Sequence, residues 1–176
     1  MGNDIKTRCF VAIEVPKKFD SSLIELEQKF EGVCKKTNVN TFHITLLFLG
    51  EISNVDDIIQ KLREISFDKF DSNLSGMHYF EHNGNITVGS VGIESKELRE
   101  LQQKIVEKLH AKEERSYVPH LTLFRVKEVF NDKAFKDAVS SINYKETFHV
   151  DEFLLFSSTI TSAGPIYTVL ERFKLK

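Results

Sequence analysis

Apolar and polar positions alternate along this chain in short runs of two periods, and their order lays out a series of elements. Arg8 to Val15 (RCFVAIEV) is a nearly continuous apolar run closed by Pro16, the pattern of a strand buried on both faces. Asp20 or Ser21 can cap a helix from Ser22 to Lys36, because Leu23, Leu26, Phe30 and Val33 recur at helical spacing; Thr37 to Asn40 ends it. Phe42 to Ile52 (FHITLLFLGEI) is rich enough in β-branched and aromatic residues to be a strand. Asn54 caps a second helix through Ile58, Ile59, Leu62 and Ile65. Phe67 to His82 reads as at least one strand, and Asn83-Gly84 is a tight-turn signal leading into a strand from Ile86 to Ile93.

The same order then begins again. Ser95 caps a helix to about Lys112 with Leu98, Leu101, Ile105, Val106 and Leu109 inward, and Pro119 to Val129 (PHLTLFRVKEV) restates the phrase at Phe42. Asn131 caps a helix through Ala134, Phe135 and Ala138, followed by a strand from Phe148 to Ser157 and, after Ala163-Gly164-Pro165, a final strand to Leu175. The unit is written twice, over roughly 7–82 and 86–157, with the strand at 165–175 outside it. A repeat this long predicts one domain, residues 1–176, of two pseudo-symmetric lobes around a cleft, not a solenoid.

Composition narrows the chemistry. The 176 residues carry a net charge of -2 with a sequence pI near 6.3, against the broad basic face that grips long nucleic acid, while a small phosphorylated ligand or a strand end stays open. Cys9 and Cys34 lack metal-ligand spacing and read as buried free thiols of a reducing compartment. The first residues hold no apolar leader, and no run approaches the roughly eighteen apolar residues of a membrane span. A cytoplasmic protein is expected.

Both phrases read His-apolar-Thr-Leu. On a strand, alternation puts His43 and Thr45 on one face and Ile44 and Leu46 on the other; His120, Thr122, Leu121 and Leu123 repeat this. Two imidazoles, titrating near neutrality, can supply a base and an acid to a phosphodiester, and two hydroxyls can donate to its nonbridging oxygens. Packing alone would be served equally by Val or Ile at the Thr positions.

HITL at His43 and HLTL at His120, with RCFVAIEVP, HITLLFLGE, PHLTLFRV and GPIYTVLERF around them, resemble the paired signatures of the 2H phosphoesterase superfamily, and within it the RNA 2',3'-cyclic phosphodiesterase family, also named 2'-5' RNA ligases. The resemblance implies an α+β fold, bilobed and pseudo-twofold, with two antiparallel sheets flanked by helices around a central cleft. It implies hydrolysis of RNA 2',3'-cyclic phosphate ends to 2'-phosphate, reversible 2'-5' joining in some members, and no metal or other cofactor. By that likeness His43 is the proton donor and His120 the proton acceptor, Thr45 and Thr122 bind phosphate, and Arg125 contacts substrate phosphate; Arg8 also matches a family position and is placed either on the substrate or as a solvated strand-end charge. The residues alone do not order the two histidines. Strict alternation places Arg125 on the face opposite His120, so a bulge is needed to bring it into the site. Tyr117 is placed either on a base, as a stacking ring, or in the core.

Three alternatives accompany this reading: a 2'-5' oligonucleotide phosphodiesterase, a small cyclic nucleotide phosphodiesterase, and a module that binds a phosphate end without turnover. The expected partners are RNA ends or small oligonucleotides, with no membrane, and the chain is expected to be a monomer. The chain departs from the family at NVNTF and HYFEHNGN, where base or end recognition would differ. His78 and His82 are spaced as metal ligands only if helical; His110 reads as a helix end, His149 as a surface strand residue, and Lys112 to Arg115 as a solvated helix end or an RNA-contacting loop.

Overall fold

Local signals convert directly into elements in the computed structural model, which describes residues 6–39, 41–112, 116–162 and 164–176. Strand β1 (Thr7–Glu14) leads through a 3-10 turn to helix α1 (Asp20–Gln28), then β2 (Cys34–Asn38), the first motif strand β3 (His43–Ile52), α2 (Val55–Arg63) and β4 (Phe70–His82). The second half follows as β5 (Asn85–Glu94), α3 (Lys96–Leu109), the second motif strand β6 (His120–Val129), α4 (Asp132–Ser141), β7 (Lys145–Val150), β8 (Glu152–Thr161) and β9 (Gly164–Lys174). Asn54, Ser95 and Asn131 cap their helices as their positions predict, each side-chain oxygen accepting a backbone N–H three residues on. Asn83 and Gly84 both take positive φ, 51° and 75°, the primed turn that joins β4 to β5 without splaying them.

The strands form a curled antiparallel sheet in the order β7-β4-β5-β6-β3-β1-β8-β9, with β2 added along β6. It divides into two antiparallel arms, β3-β1-β8-β9 and β6-β5-β4-β7, which meet where Ile44 of β3 pairs with Leu121 of β6. Beyond that point β6 pairs with β2 through Phe124 to Val129, so the two motif strands diverge. The α+β class and the antiparallel strands flanked by helices are thus as expected, while the two sheets expected are two arms of one continuous sheet, joined by the Ile44–Leu121 pair. Each arm draws strands from both halves of the chain: β4 lies beside β5, and β8 beside β1.

Two expected elements differ. The helix expected over 22–36 starts at Asp20, behind a 3-10 turn in place of a side-chain cap, and ends at Gln28. Gly32 takes φ +74°, redirecting the chain so that Cys34 to Asn38 can pair with β6, a long-range gain that overrides the helical spacing of Phe30 and Val33. The single strand expected over 148–157 breaks at Asp151, whose carbonyl accepts from the Leu175 N–H. Its two parts run to different arms, β7 against β4 and β8 against β1.

The convex face carries the core, where Val11, Ile13, Ile44, Leu46, Leu121, Leu123 and Phe124 pack with the inward stripes of the helices. The concave face carries a smaller aromatic cluster of Phe10, Ala12, Leu154 and Phe156, with Tyr167 against it. None of the described helices is long and apolar enough to cross a membrane.

Candidate active site

Each motif strand holds its histidine by the same local device. His43 Nδ1 donates to the carbonyl of Thr41 at 3.1 Å, and His120 Nδ1 donates to that of Val118 at 2.8 Å. A carbonyl only accepts, so Nδ1 carries the proton in both neutral rings and Nε2 is left as the exchanging atom. Behind them Ile44 and Leu121 are fully buried and pair across the seam between the arms, fixing where both rings leave the sheet.

Burial lowers the proton affinity of both imidazoles. For His43, desolvation is the leading cause; the bond to Thr41 opposes it, and the charges of His120 and Arg125 add to it. For His120, desolvation again leads, opposed by the bond to Val118 and reinforced by Arg125. The Ile44–Leu121 pair sets His43 and His120 on one face of the sheet at either side of the seam, where His43 feels the charges of His120 and Arg125, and His120 that of Arg125.

Arg125 reaches that face through a bulge. In the β5–β6 ladder Ser90 pairs with Thr122 and Gly89 with Phe124, leaving Leu123 without a partner. Leu123 and Phe124 therefore both enter the core, at 0% exposure, and Arg125 emerges on the His120 face. The same shift occurs on β3, where Thr45 pairs with Ala12 and Leu47 with Val11, leaving Leu46 over; Phe48 then emerges in the place corresponding to Arg125. The sequence contains the signal, since Leu46-Leu47 and Leu123-Phe124 are adjacent large apolar residues inside otherwise alternating strands.

Thr45 and Thr122 are half-buried on the faces of their histidines. Arg8 is exposed at the edge of the cleft, its guanidinium 4.8 Å from the centroid of the Phe48 ring. Tyr117 packs against the core, and its hydroxyl donates to the Thr45 carbonyl at 3.0 Å, bracing the first motif from the loop that leads into the second. Sequence reasoning missed the rings around the histidines. Phe10 and Tyr167 lie 5.2 Å from His43 and Phe156 lies 6.3 Å away, while Phe80 lies 4.6 Å from His120. Only Phe10 lies on a strand paired with a motif strand; Phe156, Tyr167 and Phe80 reach the histidines from strands two or three places away in the sheet, positions set by long-range pairing.

The other histidines fall outside this set. His78 and His82 sit four residues apart on strand β4, which separates their Cα atoms by on the order of 13 Å, too far to share a metal ion. Among the described residues no group of three or more His, Cys, Asp or Glu side chains could hold a metal ion. His110 caps α3 in the left-handed conformation, and His149, exposed on β7, bonds the Asp71 carboxylate at 2.9 Å. Of the segment Lys112 to Arg115, residues 113–115 lie outside the described residues.

Residues 25–159 match the model of the 2'-5' RNA ligase superfamily. The chain is 33% identical to an RNA 2',3'-cyclic phosphodiesterase of Methanocaldococcus jannaschii, over 93% of this chain and 98% of that protein. It is 32% identical to the protein of the same name from Thermotoga maritima, over 93% and 92%. Among solved structures it is similar to TT0787 of Thermus thermophilus, with a TM-score of 0.79 at 24% identity over 95% and 97% of the two chains. It is also similar to E. coli LigT complexed with 3'-AMP, with a TM-score of 0.77 at 21% identity over 98% and 99%.

Proposed function

The chain belongs to the 2'-5' RNA ligase superfamily, and from that premise and the paired histidines we propose that it hydrolyses RNA 2',3'-cyclic phosphate ends to 2'-phosphates without a metal. The observation that carries this reading is the pair of imidazoles, each with Nδ1 tied to a backbone carbonyl, on two strands that pair beside them. His120 Nε2 takes a proton from water, which attacks phosphorus; the bond to the 3' oxygen breaks, and His43 Nε2 delivers a proton to that oxygen. Thr45 and Thr122 donate to the nonbridging oxygens as charge accumulates, and the forked guanidinium of Arg125 offsets the same charge from the rim. Arg8 and Phe48 flank the approach of the remaining nucleotide. Both rings start with lowered proton affinity, and the bound phosphate anion restores it to the ring that must act as the acid.

A monomer suffices, because both motifs come from one chain. The buried free thiols of Cys9 and Cys34 suit a reducing cytoplasm. The test presents a cyclic-ended oligonucleotide to the protein in excess chelator and identifies which phosphate isomer accumulates. A 2'-phosphate is the expected product; binding without turnover would leave only a phosphate-end module.

A further inference from the structure

Hydrolysis as described above leaves one buried hydroxyl beside the second motif without a task. Ser90 of β5 is fully buried, and its Oγ has no hydrogen-bond partner. Buried polar atoms are ordinarily paired, because burial takes away the water that would otherwise bond them. Ser90 is the ladder partner of Thr122 on β6, and two positions on Gly92 is the partner of His120. Between these pairs Val91 and Leu121 face each other and turn into the core, both at 0% exposure. By alternation the Ser90 and Thr122 side chains leave the opposite face of the sheet side by side, in the row next to His120. Along the other side of β5, Ser90 pairs with His78 of β4. A Cβ at Gly92 would come within 2.5 Å of His78 Nε2, so the glycine lets that ring lie across β5 and helps to shut water out of the row.

Directly opposed residues of an antiparallel pair hold their Cβ atoms about 4.5–5.5 Å apart, a spacing at which Ser and Thr hydroxyls bond across strands. The Ser90 hydroxyl sits on an unbranched Cβ and turns between staggered rotamers, while the branched Cβ of Thr122 confines its own. Thr122 has a single hydroxyl proton to give. Once that proton points at a nonbridging phosphoryl oxygen, the Thr122 oxygen still has lone pairs to offer, and a hydroxyl that accepts a hydrogen bond donates a stronger one. Ser90 stands where it can supply that bond. Thr45 has no such support, because its ladder partner on β1 is Ala12.

Resting on the phosphodiesterase reading, we infer that Ser90 is a positioning residue for Thr122. In the substrate complex its hydroxyl donates to Thr122 Oγ1, which aims the Thr122 proton at the phosphate and strengthens that contact as charge accumulates. Ser90 keeps its proton throughout and forms no covalent bond. The partner its Oγ lacks in the free protein is supplied when Thr122 turns to the substrate. Of the two motif hydroxyls, Thr122 therefore carries the larger share of the transition-state charge, and Thr122→Val costs more in kcat than Thr45→Val.

The experiment compares Ser90→Ala with Ser72→Ala in steady-state hydrolysis of a cyclic-ended oligonucleotide. Ser72 of β4 is likewise fully buried with an unpartnered Oγ, but its ladder partner on β7 is Phe148. Removing either hydroxyl should leave the melting temperature unchanged or raise it. Only Ser90→Ala is expected to lower kcat, by about five- to tenfold with KM nearly unchanged, the scale of one neutral hydrogen bond made in the transition state. The loss should persist in Thr45→Val and Thr122→Ser backgrounds and disappear in Thr122→Val, which removes the hydroxyl that Ser90 serves. Ser90→Cys, with a weaker donor in nearly the same shape, gives the same pattern of losses if Ser90→Ala folds poorly. A wild-type kcat in Ser90→Ala, or a loss undiminished in Thr122→Val, overturns the inference and leaves the phosphodiesterase reading standing. A wild-type protein that consumes no cyclic phosphate overturns that reading and the inference with it.

Discussion

The two motif strands share one backbone design and differ in what their neighbours put around it. On β3, His43 lies among Phe10, Tyr167 and Phe156, and the residue beside Thr45 is Ala12. On β6, His120 meets Phe80 but faces Gly92, and the residue beside Thr122 is Ser90. After the matching bulges one strand presents Phe48 and the other Arg125. A wall of aromatic carbon keeps bulk water from a leaving oxygen and suits a proton donor, while open polar space suits the arrival of a nucleophile at a base. Under the proposed roles, near-identical motifs are given opposite tasks by residues that other strands of the sheet place around them.

The comparison breaks most plainly at the histidines. His43→Ala and His120→Ala should each lower turnover of a cyclic-ended oligonucleotide by about 10²- to 10⁴-fold, the range for loss of one positioned acid or base. If both leave the rate intact, the assignment of acid and base is wrong. A smaller loss belongs to the hydroxyls: Thr45→Val and Thr122→Val keep shape and remove a donor, and each is expected to cost about 10²- to 10³-fold in kcat. Retained activity in both would make the threonines packing residues. Arg125→Ala comes next, with a loss of about ten- to a hundredfold in kcat/KM, as for one charge-assisted contact. Phe48→Ala on the opposite strand should leave the chemical step unchanged, so equal effects of the two would erase the asymmetry.

The pH profile sharpens the same contrast. Both imidazoles are held below their ordinary affinity of about 6.5, so the bell-shaped profile of kcat/KM, which reports the free enzyme, should centre on the acid side of that value. The kcat profile, which reports the complex, should extend further toward alkaline pH, because phosphate favours the cationic ring. A plateau from about pH 5 to 9 would oppose two imidazoles in opposite protonation states. Folding stability carries the same sign. A lowered folded-state affinity means that the unfolded chain binds more protons as pH drops below about 6.5, so the stability contributed by the neutral rings is complete above that pH and is lost as pH falls toward the folded values. The melting temperature of a His43→Gln, His120→Gln double variant should therefore fall less steeply with acid than that of the wild type.

What the sequence disclosed was decided locally. Cap residues at Asn54, Ser95 and Asn131, the Asn83-Gly84 turn and the alternation of His and Thr against Ile and Leu each act within a few positions, and each appears as expected. What it concealed was decided between distant strands. Cys34 to Asn38 could be read as the end of a helix until β6 supplied a ladder, and the division at Asp151 has meaning only because β7 and β8 serve different arms. Arg125 falls between these cases. Its place in the cleft follows from the bulge at Leu123, which the adjacency of Leu123 and Phe124 hints at and the β5 register fixes.

Tyr117 provides the smallest effect and tests how the two strands are held together. Its hydroxyl spans 72 positions of sequence to the Thr45 carbonyl, so it links the loop entering the second motif to the middle of the first. Tyr117→Phe keeps the ring against the core and removes one partly buried bond, worth about 0.5–1.5 kcal/mol by denaturant unfolding. The kinetic signature separates bracing from substrate contact. A residue that positions Thr45 should lower kcat by a few fold with KM nearly unchanged, and the effect should vanish in a Thr45→Val background, where no hydroxyl is left to aim. A rise in KM that persists in that background would instead place the Tyr117 hydroxyl on the substrate, and the two motif strands would then owe their spacing to the Ile44–Leu121 seam alone.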